Sequence, residues 1–313
     1  MTILVGTASW TDPTLIACKR FYPRGCSTAE ARLRHYARTF PFVEVDSAYY
    51  AVPDPATAAA WVTRTPYTFV FNIKAFRVFT GHWTTRKVLH ADIQQALPAS
   101  GKNRLYPGDL SEEIMDALWH RYRLAIEPLR ASGKLGAVHF QFAPWVENNA
   151  EGQALVRQNV ERMAGFPVAV EFRHSSWFEG AHQQKTLAFE RDLDVIHTIV
   201  DGPQGFANSV PSVWEATNPD LAILRLHGRN HASWNIQSES SADRFNYDYS
   251  REELAELVPR IRAVAKRARR TQVIFNNNMQ DQGQRNALTL MDLMGLEYAP
   301  PAEAGDQLGL SGM

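Results

Sequence analysis

Only two cysteines occur in 313 residues, Cys18 and Cys26, both in one early loop. Two thiols make no disulfide framework, and no further Cys or His stands at ligand spacing, so no zinc site is expected. No apolar run reaches the 18 residues that a membrane span requires. The start, M-T-I-L-V-G, lacks the basic region and long apolar core of a signal peptide. The cytoplasm is therefore the expected location, with no membrane partner. Neither sign of charge is in excess, since 33 Lys plus Arg balance 33 Asp plus Glu. A chain-wide basic footprint for duplex DNA is missing, although a local basic groove is compatible with that balance. No G-x-G-x-x-G follows the first strand, which weakens a doubly wound dinucleotide fold. No short repeat and no Gly-, Ser- or Pro-rich linker divides the chain.

What is present is a regular alternation. Hydrophobic residues make up 45% and charged ones 21%, enough for a real core. Period-2 patterns predict strands over Thr2–Thr7, Phe42–Ser47, Thr68–Lys74, Leu135–Phe142, Val168–Arg173, Val195–Val200, Leu221–His227 and Gln272–Asn277. Helical segments fall between them: 28–39, 55–63, about 111–132, about 151–163, 182–192, 251–269 and 284–294. Pro128 is expected to end or kink its helix, and Pro259 to interrupt the basic one. A polar excursion, Gly81 to Asp109, separates strands three and four. The expected fold is α/β: a single (β/α)8 TIM barrel over 1–297, with that long excursion and a frayed tail over 298–313.

In such a barrel the strands' C-terminal ends and the loops after them carry the chemistry. The stretch V-A-V-E-F-R-H-S-S-W from Val168 is the clearest example: Glu171 and Arg173 share one strand face, with His174 and Trp177 in the turn beyond. Counting by twos along the others gives Thr7 and Ser9 with Trp10 beside them, then Glu44 and Asp46 with Tyr49 beyond. It continues with Asn72 and Lys74, His139 and Gln141, His197 and Asp201, Arg225 and His227, and Asn276 and Asn278. A layer this polar is either a mutually neutralised plug or a wet pocket. Burying so many ions would require each to recover several kcal/mol of desolvation, so the pocket is favoured. His139 and His197, deep in their strands, read as satisfied core histidines rather than ligands. Trp10, Trp177 and Trp234 are candidates to wall the pocket or to pack.

These segments together resemble the YecE-like family, the domain-of-unknown-function family numbered seventy-two. The matching stretches are G-T-A-S-W from Gly6, F-V-E-V-D-S-A-Y-Y from Phe42, F-N-I-K-A from Phe71 with T-G-H at Thr80–His82, and L-G-A-V-H-F-Q-F from Leu135. The Val168 stretch, L-R-L-H-G-R from Leu224 and I-F-N-N-N from Ile274 complete the set. They bring His82, Arg229 and Asn277 into the ligand-binding set. The resemblance implies a (β/α)8 barrel with a site at its mouth and assigns no reaction. The chain departs from the pattern at Asp46, where Asn is usual, at Asn72, where an apolar or aromatic residue is commoner, and at Ala143, which intervenes before Pro144. Its excursion is also longer.

The chemistry these residues suggest is general acid–base catalysis, of hydrolase or isomerase type, on a small polar, anionic or sugar-like molecule. Glu171 and Glu44 would be the opposed carboxylates. Lys74 and His227 would stabilise developing charge, and Arg173 and Arg225 would orient an anion. No cofactor is implied. A metal-dependent alternative would use Glu44, Glu171, Asp201 and His227, against the neighbouring cationic charge. A second alternative, nucleic-acid binding or processing in the manner of barrel endonucleases, rests on Arg229, the loop aromatics and the basic helix around Arg260–Arg270. No oligomeric state is indicated.

Overall fold

A computed structural model describes residues 1–98, 101–236 and 241–300. Its eight principal strands are β1 (Thr2–Ala8), β2 (Phe42–Val45), β3 (Val70–Lys74), β4 (Leu135–Gln141), β5 (Val168–Glu171), β6 (Ile196–Asp201), β7 (Leu221–Leu226) and β8 (Arg270–Phe275). All pair in parallel, each with its neighbours in sequence, and β8 closes onto β1. The fold is a (β/α)8 barrel. Helices cover its outside because the strands' outward positions are mostly apolar and must be buried. Among the described residues no helix is long and apolar enough to cross a membrane. The expected tail lies mostly in 301–313, outside the described residues.

Pro128 stands in the last turn of its helix, Glu112–Ala131, which ends there as expected, but Pro259 does not interrupt its own, Arg251–Ala265. Each proline removes an N–H that would have bonded the carbonyl four residues earlier. Those carbonyls belong to Leu124 and Ala255, both exposed, so water can satisfy them. The excursion after β3 is anchored rather than loose. Thr84–Thr85 pairs antiparallel with Arg104–Leu105, and Leu89, Ile93, Leu97 and Leu105 join the main core. Phe79, in the turn after β3, stacks on Trp119 at 3.6 Å between ring centres.

Inside the barrel the side chains form layers. The lowest is apolar: Leu4, Phe42, Val70, Ala137, Ala169, Ile196, Ile223 and Ile274 pack together. Gly6 makes room there, since a Cβ on it would stand 2.4 Å from the Phe42 carbonyl oxygen. Beside it lies an amide pair, Asn72 donating to Gln272 Oε1 at 2.7 Å, with Gln272 in register with Leu4 and Ile223. Gly136 permits that pair. It is the extra residue where the β3–β4 register shifts, and a Cβ on it would sit 2.4 Å from Asn72 Oδ1. The ionisable residues come next, towards the C-terminal end.

Two strands break the expected alternation. Thr7 faces the helices, where its hydroxyl meets Tyr36 Oη at 2.9 Å, and Ser9 takes a left-handed φ of 67° that ends the strand's regular twist. His197 also points outward, 3.1 Å from the buried Glu190 of helix His182–Asp192. Thr198 takes the inward position of β6 instead.

Candidate functional site

At the centre of the barrel one guanidinium joins two carboxylates. Arg225, on β7, donates to Glu171 Oε2 at 2.8 Å and to Glu44 Oε1 at 2.6 Å. All three side chains have no exposed surface. The His139 ring lies between the same carboxylates, 3.2 Å from Glu44 and 3.4 Å from Glu171. Burial pushes both carboxyls up, but Arg225 together with His139 for Glu44, and with His227 for Glu171, outweighs it and holds both well below the usual range. Both are therefore carboxylates at any ordinary pH. The guanidinium in turn loses by burial and gains more from the two carboxylates, so its pKa rises.

Further groups complete the shell around Glu171. Its Oε1 accepts from Gln141 at 2.5 Å and faces His227 Nε2 at 3.1 Å. Gln141 passes the interaction outward, because its own Oε1 accepts from Lys74 Nζ at 3.2 Å. His227 is buried and its pKa falls to about 4, since burial with the Arg225 and Arg173 charges outweighs the pull of Glu171. Both of its nitrogens are engaged, the second with Asn276 at 2.9 Å.

Above this layer opens a cavity of about 330 Å³ at the C-terminal mouth. Lys74, Arg77, Arg173 and Arg244 line it, and Asp46 is the one carboxylate among its lining residues. Lys74 Nζ stands 3.7 Å from Asp46 and 4.6 Å above the Tyr49 ring. Burial raises the Asp46 pKa, with Lys74 opposing and Glu44 reinforcing the rise. Arg173, nearly buried, reaches its nearest carboxylate only at 3.5 Å and rests over Trp234 at 4.8 Å. Burial lowers its pKa from the usual guanidinium value. Burial also raises Tyr49 to about 12, so its phenol stays protonated.

Of the residues expected at the site, the structure brings Lys74, Asp46, Tyr49, His82, Gln141, Arg173 and Asn276 to this cavity. Glu44, Glu171, Arg225 and His227 lie just beneath it without lining it. Five do not join. Trp177 stacks flat on Phe172 at 3.8 Å and donates to the Val146 carbonyl. Trp10 packs edge-on against Trp61 at 5.7 Å. His174 caps its own turn at Ser176, 2.8 Å away. Asn277 points outward to the Tyr247 carbonyl and Asn286, while Asn278, two residues on from Asn276, lines the cavity. Asp201 and Arg229 form a bidentate pair, joined by Tyr249 Oη at 3.1 Å from Asp201, which ties the loop after β7 to the end of β6.

Strand periodicity missed Arg77, Trp83, Trp145, Arg244 and Phe245, which line the mouth from irregular segments. The signal available was compositional: Arg interleaved with aromatics from Phe76 to Trp83. Arg77 lies over Trp83 at 4.3 Å and over Tyr49 at 5.1 Å. The basic outer helix does not contribute: Arg251 pairs with Asp292, Arg267 with Glu215, and Arg260 lies over Trp214. Among the described residues no group of three His, Cys, Asp or Glu side chains is arranged to hold a metal. A larger hollow, about 440 Å³, lies at the opposite end near Phe166, Asp194 and Arg270. That face of a barrel generally serves stability rather than chemistry.

Comparison with known proteins places this architecture among relatives. A family model described as "Protein of unknown function DUF72" matches residues 4–307. UPF0759 protein YunF of Bacillus subtilis is 30% identical over 301 residues, 95% of this chain and 96% of the relative. A crystal structure of a DUF72 family protein from Enterococcus faecalis is 28% identical, with a TM-score of 0.77 over 95% of this chain and 97% of that one. A second, from Thermotoga maritima, is 23% identical with a TM-score of 0.73, covers 94% of this chain and 100% of that one, and shows the shared fold.

Proposed function

The chain belongs to the DUF72 family of proteins of unknown function, and from that premise we propose that it is an enzyme that binds a small anionic molecule at the C-terminal mouth of its barrel and acts on it by general acid–base chemistry. The observation that carries this reading is the charge of the lining: Lys74, Arg77, Arg173 and Arg244 against the single carboxylate of Asp46. Cations held together without an equal number of counter-charges repel one another, and an incoming anion relieves that repulsion. Arg173 is the main anchor, because its long 3.5 Å contact with Glu171 leaves donors for a ligand. Lys74 has three donors, and Gln141 takes one.

Asp46 is the proton-exchanging group. It lines the cavity, and burial raises its pKa above that of an ordinary aspartate, so its carboxylate holds a proton more readily. Glu171 and Glu44 are assigned a different role from the one their opposed strands suggested. With no exposed surface and pKa values held low, they position Gln141, Lys74 and Arg173 rather than exchange protons. Thermal-shift and calorimetric titration with phosphate, sulfate, citrate and simple sugar phosphates tests the reading. At least one anion should raise the wild-type melting temperature, with an effect that weakens in high salt. Arg173→Ala and Lys74→Met should each lose most of that rise. Equal shifts in the variants, or none in the wild type, would overturn it.

A further inference from the structure

Hydrogen bonds around His82 fix where its proton lies. Thr80 Oγ1 stands 3.0 Å from the Arg77 carbonyl oxygen and 3.0 Å from His82 Nδ1. A carbonyl cannot donate, so the single hydroxyl proton of Thr80 is directed to Arg77. Thr80 Oγ1 must then accept from His82, which places the imidazole proton on Nδ1. The other nitrogen, Nε2, keeps a bare lone pair and has no hydrogen-bond partner among the described residues, while the ring lines the cavity. Burial, with Arg77, Lys74 and Arg173 nearby, pushes the imidazole down to about 3, so this neutral form persists at ordinary pH. Tyr49 and Trp145 hold the ring edge-on at 5.4 and 5.6 Å. His82 is thus a fixed acceptor set among cations.

We propose that the molecule bound at the mouth is a hydroxylated anion, of the hydroxy acid or sugar phosphate class, whose acidic group sits among Lys74, Arg77 and Arg173 and whose hydroxyl donates to His82 Nε2. This rests on the anion-binding reading above and adds to it a specificity-determining residue and a substrate class. The donor is a hydroxyl rather than an ammonium, because the cations that keep His82 neutral also repel a positively charged group. Asp46 offers a second acceptor: its buried Oδ1 lacks a hydrogen-bond partner, and Lys74 remains 3.7 Å away. A ligand with two hydroxyls would satisfy both. An unmet buried acceptor is the feature by which a site rejects an analogue that lacks the matching donor.

Isothermal titration of the full chain with matched probes tests the inference. The phosphate arm sets glycerol 3-phosphate against propyl phosphate, the carboxylate arm sets glycerate against propionate, and inorganic phosphate is the reference anion. The hydroxylated member of at least one arm should bind roughly tenfold tighter. The arm that shows the preference distinguishes a sugar phosphate from a hydroxy acid. His82→Phe should erase the preference while leaving the affinity for the deoxy member within about twofold. His82→Gln, which keeps an acceptor, should restore part of it. Equal affinities in the wild type, or a preference that survives His82→Phe, would overturn this inference and leave the anion-binding reading standing. If no anion binds, phosphate included, the anion-binding reading fails and takes this one with it.

Discussion

Asn276 holds His227 in one tautomer. Asn276 Oδ1 accepts from Arg225 at 3.1 Å, which turns its amide nitrogen towards His227 Nδ1, 2.9 Å away. That nitrogen of the ring must accept, so the proton sits on Nε2 and is donated to Glu171 at 3.1 Å. Arg225 thus orients Glu44, Glu171 and Asn276 directly, and His227 through Asn276.

Acid should weaken the fold in two stages. The His227 pKa falls from its ordinary 6.5 to about 4 on folding. Between those values the unfolded chain binds more protons than the folded one, so stability drops as pH falls through that window. The depressed carboxyls of Glu44 and Glu171 act with the same sign at lower pH, below their ordinary 4.5. Melting temperature measured against pH should decline from about pH 6.5 downward. His227→Gln should flatten the upper part of that decline, and an unchanged slope would contradict the assignment.

Removing Arg225 should be costly. Arg225→Met leaves Glu44 and Glu171 facing each other in a buried place without their main counter-charge, and should cost about 3–5 kcal/mol in urea unfolding. Combining it with Glu44→Gln and Glu171→Gln should recover part of that loss, since the buried charges then disappear together.

The glycine beneath the amide pair should resist substitution. A Cβ on Gly136 would lie 2.4 Å from Asn72 Oδ1, 2.7 Å from Val70 Cγ1 and 2.9 Å from Gln272 Nε2. Gly136→Ala should destabilise by about 1–3 kcal/mol through overpacking, read from the denaturation midpoint. Asn72→Ala in the same chain should relieve part of it.

Asp46 gives the opposite pH signature from the buried glutamates. Its pKa is raised by burial, so its contribution to stability is present at acid pH and is lost as pH rises through the folded value. Asp46→Asn should therefore raise the melting temperature at pH 8 while leaving it nearly unchanged near pH 3. The same variant should retain ligand-induced shifts but lose their dependence on pH around the wild-type Asp46 titration.

The barrel was legible because period-2 runs and helical segments alternate eight times, and Glu44, Lys74, Gln141, Glu171 and Arg225 follow from counting along regular strands. Periodicity failed where the backbone leaves the strand. Ser9 and the outward Thr7 show β1 losing its alternation at the tip, and His197 went to Glu190 because the hydrophobic run of β6 gives no clue to which parity faces in. Trp177, His174 and Asn277 were misplaced because turn geometry, not spacing, aims them. Arg77 and Trp145 escaped for the same reason, since they sit in a tight turn and a loop whose direction is set by tertiary packing.

A central guanidinium tied to two buried carboxylates divides the molecule into two kinds of territory. Below, a change of one residue disturbs a sealed electrostatic unit; above, the excursion and the loop carrying Arg244 and Phe245 sit on top of it. Those upper segments are accordingly free to diverge. A descendant of this scaffold can acquire a new ligand by rewriting its rim while inheriting the hub intact.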